Sequence, residues 1–104
     1  MKLFTKSRDD LYQARALFDG KTIIVLAGSQ INMKNNPGYK PSKTIRTIRN
    51  DRAVVSNEGA VVQDISFETL SAAATFVTGR VANGMIVWKT EDGKCIKHYL
   101  GKVC

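Results

Sequence analysis

The chain has 104 residues, 43 % hydrophobic and 24 % charged, a balance that excludes a disordered or low-complexity protein and suits one domain rather than two. No apolar run approaches the roughly 18 residues needed to cross a bilayer, and the first ten residues lack the apolar segment of a signal peptide. A cytoplasmic protein with reduced Cys95 and Cys104 is therefore the expectation. The net charge of +7 is one-sided: residues 1–50 hold 10 basic and 3 acidic side chains, and residues 51–104 hold 6 of each. Such a surface attracts phosphate backbones or acidic protein faces, and it also serves solubility alone.

Residues 1–11 are polar and mixed in charge and read as a frayed or loosely turned segment. Tyr12 to Leu17, Asp19-Gly20 and Thr22 to Ala27 together predict a β-hairpin, because Asp-Gly between apolar runs supplies the positive backbone angles of a tight turn. The β-branched run Thr22-Ile23-Ile24-Val25-Leu26 predicts a central strand buried on both faces or nearly so, and Gly28-Ser29 ends it. Residues 30–41 carry turn chemistry, with Asn-Asn-Pro-Gly and then Pro41. Ser42 can cap a helix reaching about Arg52, with Ile45 and Ile48 turned inward and Lys43, Arg46 and Arg49 on a loose basic stripe. Asn57-Glu58-Gly59 marks a break, and Ala60 to Ser66 reads as a short strand or an extended link.

The densest signal follows. Phe67 precedes Thr69 as a hydrophobic staple candidate, and Thr69 is a plausible N-cap. Leu70, Ala73, Phe76 and Val77 recur at helical spacing, and Gly79 is a natural helix stop. Asn83-Gly84 predicts a tight turn, Met85 to Lys89 alternates as a strand, Glu91 to Lys94 is a second turn, and Cys95 to Leu100 is a further strand. The spacing places Trp88 in the core against Phe76 and Val77. The fold class expected is a single α+β domain: a mostly antiparallel sheet from an N-terminal and a C-terminal hairpin, with about two packed helices.

Ser71-Ala72-Ala73-Ala74, Gly79-Arg80, Asn83-Gly84, Trp88-Lys89 and Asp92-Gly93-Lys94, in that order, resemble the domain of unknown function often appended to the C-terminal end of GIY-YIG endonucleases. That family is similar to the restriction-enzyme-adenine-methylase-associated (RAMA) domain. The resemblance is dense over residues 67–94 and extends weakly to Leu26-Ala27-Gly28-Ser29. Leu70 stands where the family usually has a proline, and Met85 where it often has a tryptophan. The resemblance implies an accessory role beside nucleases or methylases, with recognition of DNA proposed for the RAMA relatives. The Gly-Ile-Tyr and Tyr-Ile-Gly signatures of the nuclease are missing, so its activity is not carried over.

No catalytic constellation is visible. His98 has no local partner, and one histidine with two separated cysteines does not match zinc-ligand spacing. Asp9-Asp10 and Glu91-Asp92 are adjacent pairs in polar ground, which solvated turns explain. There is no phosphate-binding glycine loop. The expectation is a non-catalytic domain without cofactor or metal that binds nucleic acid, DNA foremost. The competing expectation is a module that docks a nuclease, a methylase or another acidic protein. The residues expected to touch nucleic acid are Lys40, Lys43, Arg46 and Arg49, joined by Arg80, Asn83 and Lys89, with the amides at the start of the 42–52 helix as a further phosphate donor. For Arg80 and Asn83 the alternative is hydrogen bonding to the local backbone.

Overall fold

The computed structural model describes residues 1–7, 10–33, 43–80 and 83–96. Four strands, β1 (Lys2–Lys6), β2 (Gln13–Phe18), β3 (Ile23–Val25) and β4 (Ile65–Phe67), form one antiparallel sheet in the spatial order of the chain. Helices α1 (Lys43–Arg49), α2 (Leu70–Thr78) and the single turn α3 (Gly84–Val87) complete the α+β architecture. Strand alternation sorts the sheet into two faces. Leu3, Ala14, Ala16, Ile23, Val25, Ile65 and Phe67 point inward and share one core with Ile45, Ala73, Phe76, Val77 and Trp88. Both longer helices thus lie on that inner side.

The Asp19-Gly20 hairpin forms as expected, with Ala16 opposite Val25 and Phe18 opposite Ile23. Asp19 holds the turn by accepting from the Lys21 and Thr22 amides at 2.8 and 2.6 Å. β3 is an interior strand, flanked by β2 and β4, but it is not buried on both faces: Ile23 and Val25 enter the core, while Ile24 is half-exposed on the outer face, because the helices cover only the inner side. The first segment departs from expectation: it is a full edge strand, paired along its length from Lys2–Leu17 to Lys6–Gln13. Only Leu3 and Thr5 turn inward, so the strand carries too little apolar signal to be read locally; pairing with β2 creates it. Ser7 closes the connection by accepting from the Leu11 and Tyr12 amides at 2.7 and 3.1 Å.

Helix α2 has the ends its sequence predicts. Thr69 Oγ1 accepts from the Ala72 amide at 3.0 Å, and Gly79 terminates the helix at φ 73°. Phe67 packs on Phe76 with ring centroids 5.2 Å apart. The four C-terminal carbonyls, which an α-helix leaves without intrahelical donors, are all met. Thr75 O accepts from the Gly79 amide, Phe76 O from Arg49 Nη1 at 3.2 Å, Val77 O from the Asn32 amide at 2.9 Å, and Thr78 O from Asn32 Nδ2 at 2.9 Å.

The expected strand over Met85–Lys89 is overturned. Asn83 caps a helical turn instead: its Oδ1 accepts from the Met85 amide at 3.0 Å, and its carbonyl accepts from the Ile86 and Val87 amides. The reason is tertiary. Gly84 lies so close to the start of α2 that a Cβ there would stand 2.1 Å from the Leu70 carbonyl carbon. Its amide donates to Ser71 Oγ at 3.2 Å. The turn delivers Trp88 to the core, 0 % exposed, with Nε1 donating to Leu70 O at 3.2 Å. Ile86 is left 44 % exposed, which strand alternation with Trp88 forbids. The chain rejoins the sheet at one residue, Lys89, which exchanges both backbone hydrogen bonds with Phe4 at 2.7 and 2.8 Å. Among the described residues the C-terminal hairpin comprises the turn Thr90–Lys94 and the pair Lys89–Cys95. Of the further strand expected from Cys95, residues 97–100, with His98 and Leu100, lie outside the described residues. Cys95 is buried and disulfide-bonded rather than the reduced thiol expected; Cys104 lies outside the described residues.

Candidate nucleic-acid interface

The residues expected at the interface fall into three groups. Lys43 and Arg46 are exposed on α1, where they line a shallow depression with Thr47, Asn50 and Asp51. The helix is shorter than expected, seven residues, because Asp51 turns the chain at its end: Oδ1 accepts from the Ala53 amide and the carbonyl from the Val54 and Val55 amides. Lys40 and the Ser42 cap lie outside the described residues, so α1 itself carries no described N-terminal phosphate site.

Arg49 and Arg80, at the end of α2, and Asn83, next to Gly84 at the start of α2, form the second group. Arg49 is half-buried, and its guanidinium donates to Phe76 O and Asn32 O, with Met33 Sδ at 4.0 Å. It staples α1 and the segment after β3 onto the C-terminal carbonyls of α2, a favourable place for a cation. Arg80 follows Gly79 and is exposed, with its amide on Thr78 Oγ1 at 3.4 Å. Asn83 is the α3 cap described above. Arg49 and Asn83 are thus engaged with the backbone, whereas Lys43, Arg46 and Arg80 project into solvent.

Lys89 belongs elsewhere. Directly paired residues of an antiparallel ladder share a face. Lys89 pairs with Phe4 and Phe4 with Arg15, so the three form one row across β1 and β2. Phe4 alternates with the inward Leu3 and Thr5, which puts the row on the outer face of the sheet. The sheet therefore separates Lys89 from the α1 cations. The same face carries Lys2 and Lys6 from β1, Gln13 and Leu17 from β2, and Ile24 from β3, all exposed or half-exposed. Phe4, Lys6, Gln13, Arg15, Lys89 and Glu91 line one open groove there.

Sequence reasoning singled out Lys89 alone on this face. The available signal was the alternation Lys2-x-Phe4-x-Lys6 and Gln13-x-Arg15-x-Leu17, two outward sets that become one surface once β1 pairs with β2. Carboxylates near the face are Asp10, which pairs with Lys6 at 3.5 Å, and Glu91 and Asp92 toward the Lys2 end. Asp92 accepts from the Thr90 hydroxyl, a bond that holds its carboxyl below the usual range.

Among the described residues no group of three His, Cys, Asp or Glu side chains could hold a metal ion. No helix among them is long and apolar enough to cross a membrane. Among the described residues no buried side-chain polar atom lacks a hydrogen-bond partner. No curated protein and no solved structure matches the chain. A family profile described as a domain of unknown function (DUF4357) matches residues 3–100, nearly the whole chain, and the protein belongs to that family.

Proposed function

We propose that the domain is a non-catalytic accessory module that binds nucleic acid, DNA foremost, in restriction, modification or phage-defence systems. The resemblance to the domain that follows GIY-YIG endonucleases, and through it to the RAMA domain, supports the setting. The observation that carries the reading is how little positive charge the fold neutralises internally. Among the described residues there is one ion pair, Lys6 with Asp10, and both side chains are exposed. Lys43 and Arg46 on the helix side, and Lys2, Arg15 and Lys89 on the open sheet face, have no carboxylate at ion-pair distance among those residues. Cations of this kind replace the counterions condensed on a nucleic acid, and the release of those counterions drives association.

The test is a fluorescence titration of the whole chain with labelled duplex and single-stranded DNA in about 50 mM salt, where phosphate contacts are strongest. Micromolar binding is expected, with a steep fall in affinity as salt rises. Arg46→Ala should weaken duplexes of every sequence about equally and lower the slope of log affinity against log salt by about one. No binding of either form at micromolar protein refutes the reading. The second reading, a module that docks a nuclease, methylase or other acidic partner, is favoured by one feature: Leu17, 40 % exposed, beside half-exposed Phe4 and Ile24, sets an apolar strip among the cations.

A further inference from the structure

The open face of the sheet has a composition that neutral solubility does not require. Phe4 lies half-exposed at its centre and is not among the side chains packed into or against the core. Its two cross-strand neighbours are cations, Lys89 on one side and Arg15 on the other. With adjacent strands about 4.8 Å apart, those two side chains start roughly 10 Å from each other with the ring between them. The Arg15 guanidinium reaches toward Gly28, within ordinary van der Waals distance of where a Cβ there would stand, 3.6 Å from Nη2. Lys6 and Lys2 flank Phe4 along β1. The result is an apolar aromatic plate bordered by positive charge, on a surface without deep walls.

We propose that this face is a platform for single-stranded nucleic acid, with one base stacked on Phe4 and the adjoining phosphates met by Arg15 and Lys89. The proposal rests on the nucleic-acid reading above and narrows it. In a duplex each base is covered by its neighbours in the stack, so only phosphates reach a flat sheet and the ring contributes nothing. In a single strand a base can turn onto the ring, and every base has a π-face to offer. An acidic protein would use the same cations without needing an aromatic plate. Glu91 lines the same groove two residues beyond Lys89 and repels phosphate there, so the phosphates are met at Lys89 and Arg15 and not past them.

The test compares an oligo-dT strand of about 12 nucleotides, a duplex of the same length and a poly-glutamate peptide, each titrated into the whole chain at low salt. The expected result is that the single strand binds at least tenfold tighter than the duplex. Phe4→Leu, which keeps an apolar side chain, should weaken the single strand by about tenfold and leave the duplex unchanged. Phe4→Tyr should retain the parent affinity. NMR of the parent supplies a readout that needs no variant: Phe4 ring protons should move upfield with the strand and stay in place with the duplex. Equal affinity for strand and duplex, with amide shifts confined to α1, overturns the platform and leaves the nucleic-acid reading standing. Binding of neither nucleic acid overturns both. Poly-glutamate binding as tight as the strand, insensitive to Phe4→Leu, overturns the platform in favour of an acidic partner.

Discussion

Replacing Gly84 by alanine would place a methyl carbon 2.1 Å from the Leu70 carbonyl carbon, 2.3 Å from its oxygen and 2.4 Å from the Ser71 nitrogen. All three are backbone atoms at the start of α2, so no side chain can swing aside. Either α2 or α3 must move, and two bonds across the contact move with them: the Gly84 amide to Ser71 Oγ and Trp88 Nε1 to Leu70 O. Overpacking costs about 1–3 kcal/mol where side chains can adjust, and each lost hydrogen bond about 1 kcal/mol more. A loss of about 3 kcal/mol or more follows, a fall in Tm of roughly 12–24 °C for a domain of this size. The single tryptophan is a built-in probe, because Trp88 is fully buried beside the contact and its emission should shift red as it meets water. Gly93→Ala is the control. Gly93 has φ 81° with nothing within 4 Å, so alanine there meets backbone strain of about 1–2 kcal/mol and no clash. A Gly84→Ala protein that melts within about 3 °C of the parent would refute the claim that backbone contact dictates this glycine.

Two further outcomes separate a backbone-bound cation from an exposed one and test the first hairpin. Arg49→Ala should lower stability by about 1–3 kcal/mol, since it strips charged donors from Phe76 O and Asn32 O, whereas Arg46→Ala should leave thermal unfolding unchanged; equal melting of both variants would contradict the assignment. Bonds from the Thr22 and Lys21 amides hold the Asp19 carboxyl below its ordinary value of 3.8. A carboxylate favoured by folding stabilises the protein above the ordinary value, and the contribution is lost as pH falls through the lower folded value. Asp19→Asn should therefore melt below the parent near pH 7, with the gap closing as the pH falls below the ordinary carboxylate value of 3.8; a gap independent of pH would show that the charge is irrelevant.

Much of the frame was legible because it rests on local chemistry. The Asp19-Gly20 turn, the β-branched run of β3, the Thr69 cap and the Gly79 stop each act within a few residues, so the first hairpin and α2 could be read directly. What sequence alone could not decide are the features that one element imposes on another. β1 has just two inward residues, one of them Thr5, and becomes a strand because β2 offers it a ladder. Met85 to Lys89 alternates well enough for a strand, yet the close approach of Gly84 to α2 turns it into a helix and sends Trp88 inward. Arg49 looked like one cation of an exposed stripe; only the docking of α1 against the end of α2 supplies the carbonyls that occupy it. The row Lys89–Phe4–Arg15 joins residues up to 85 positions apart in the chain, from position 4 to position 89. Composition made this protein basic, and its local turn, cap and periodicity signals made it an α+β domain. Register and packing, which depend on contacts distant in sequence, decided which of its charges face solvent together and which are bound to the backbone.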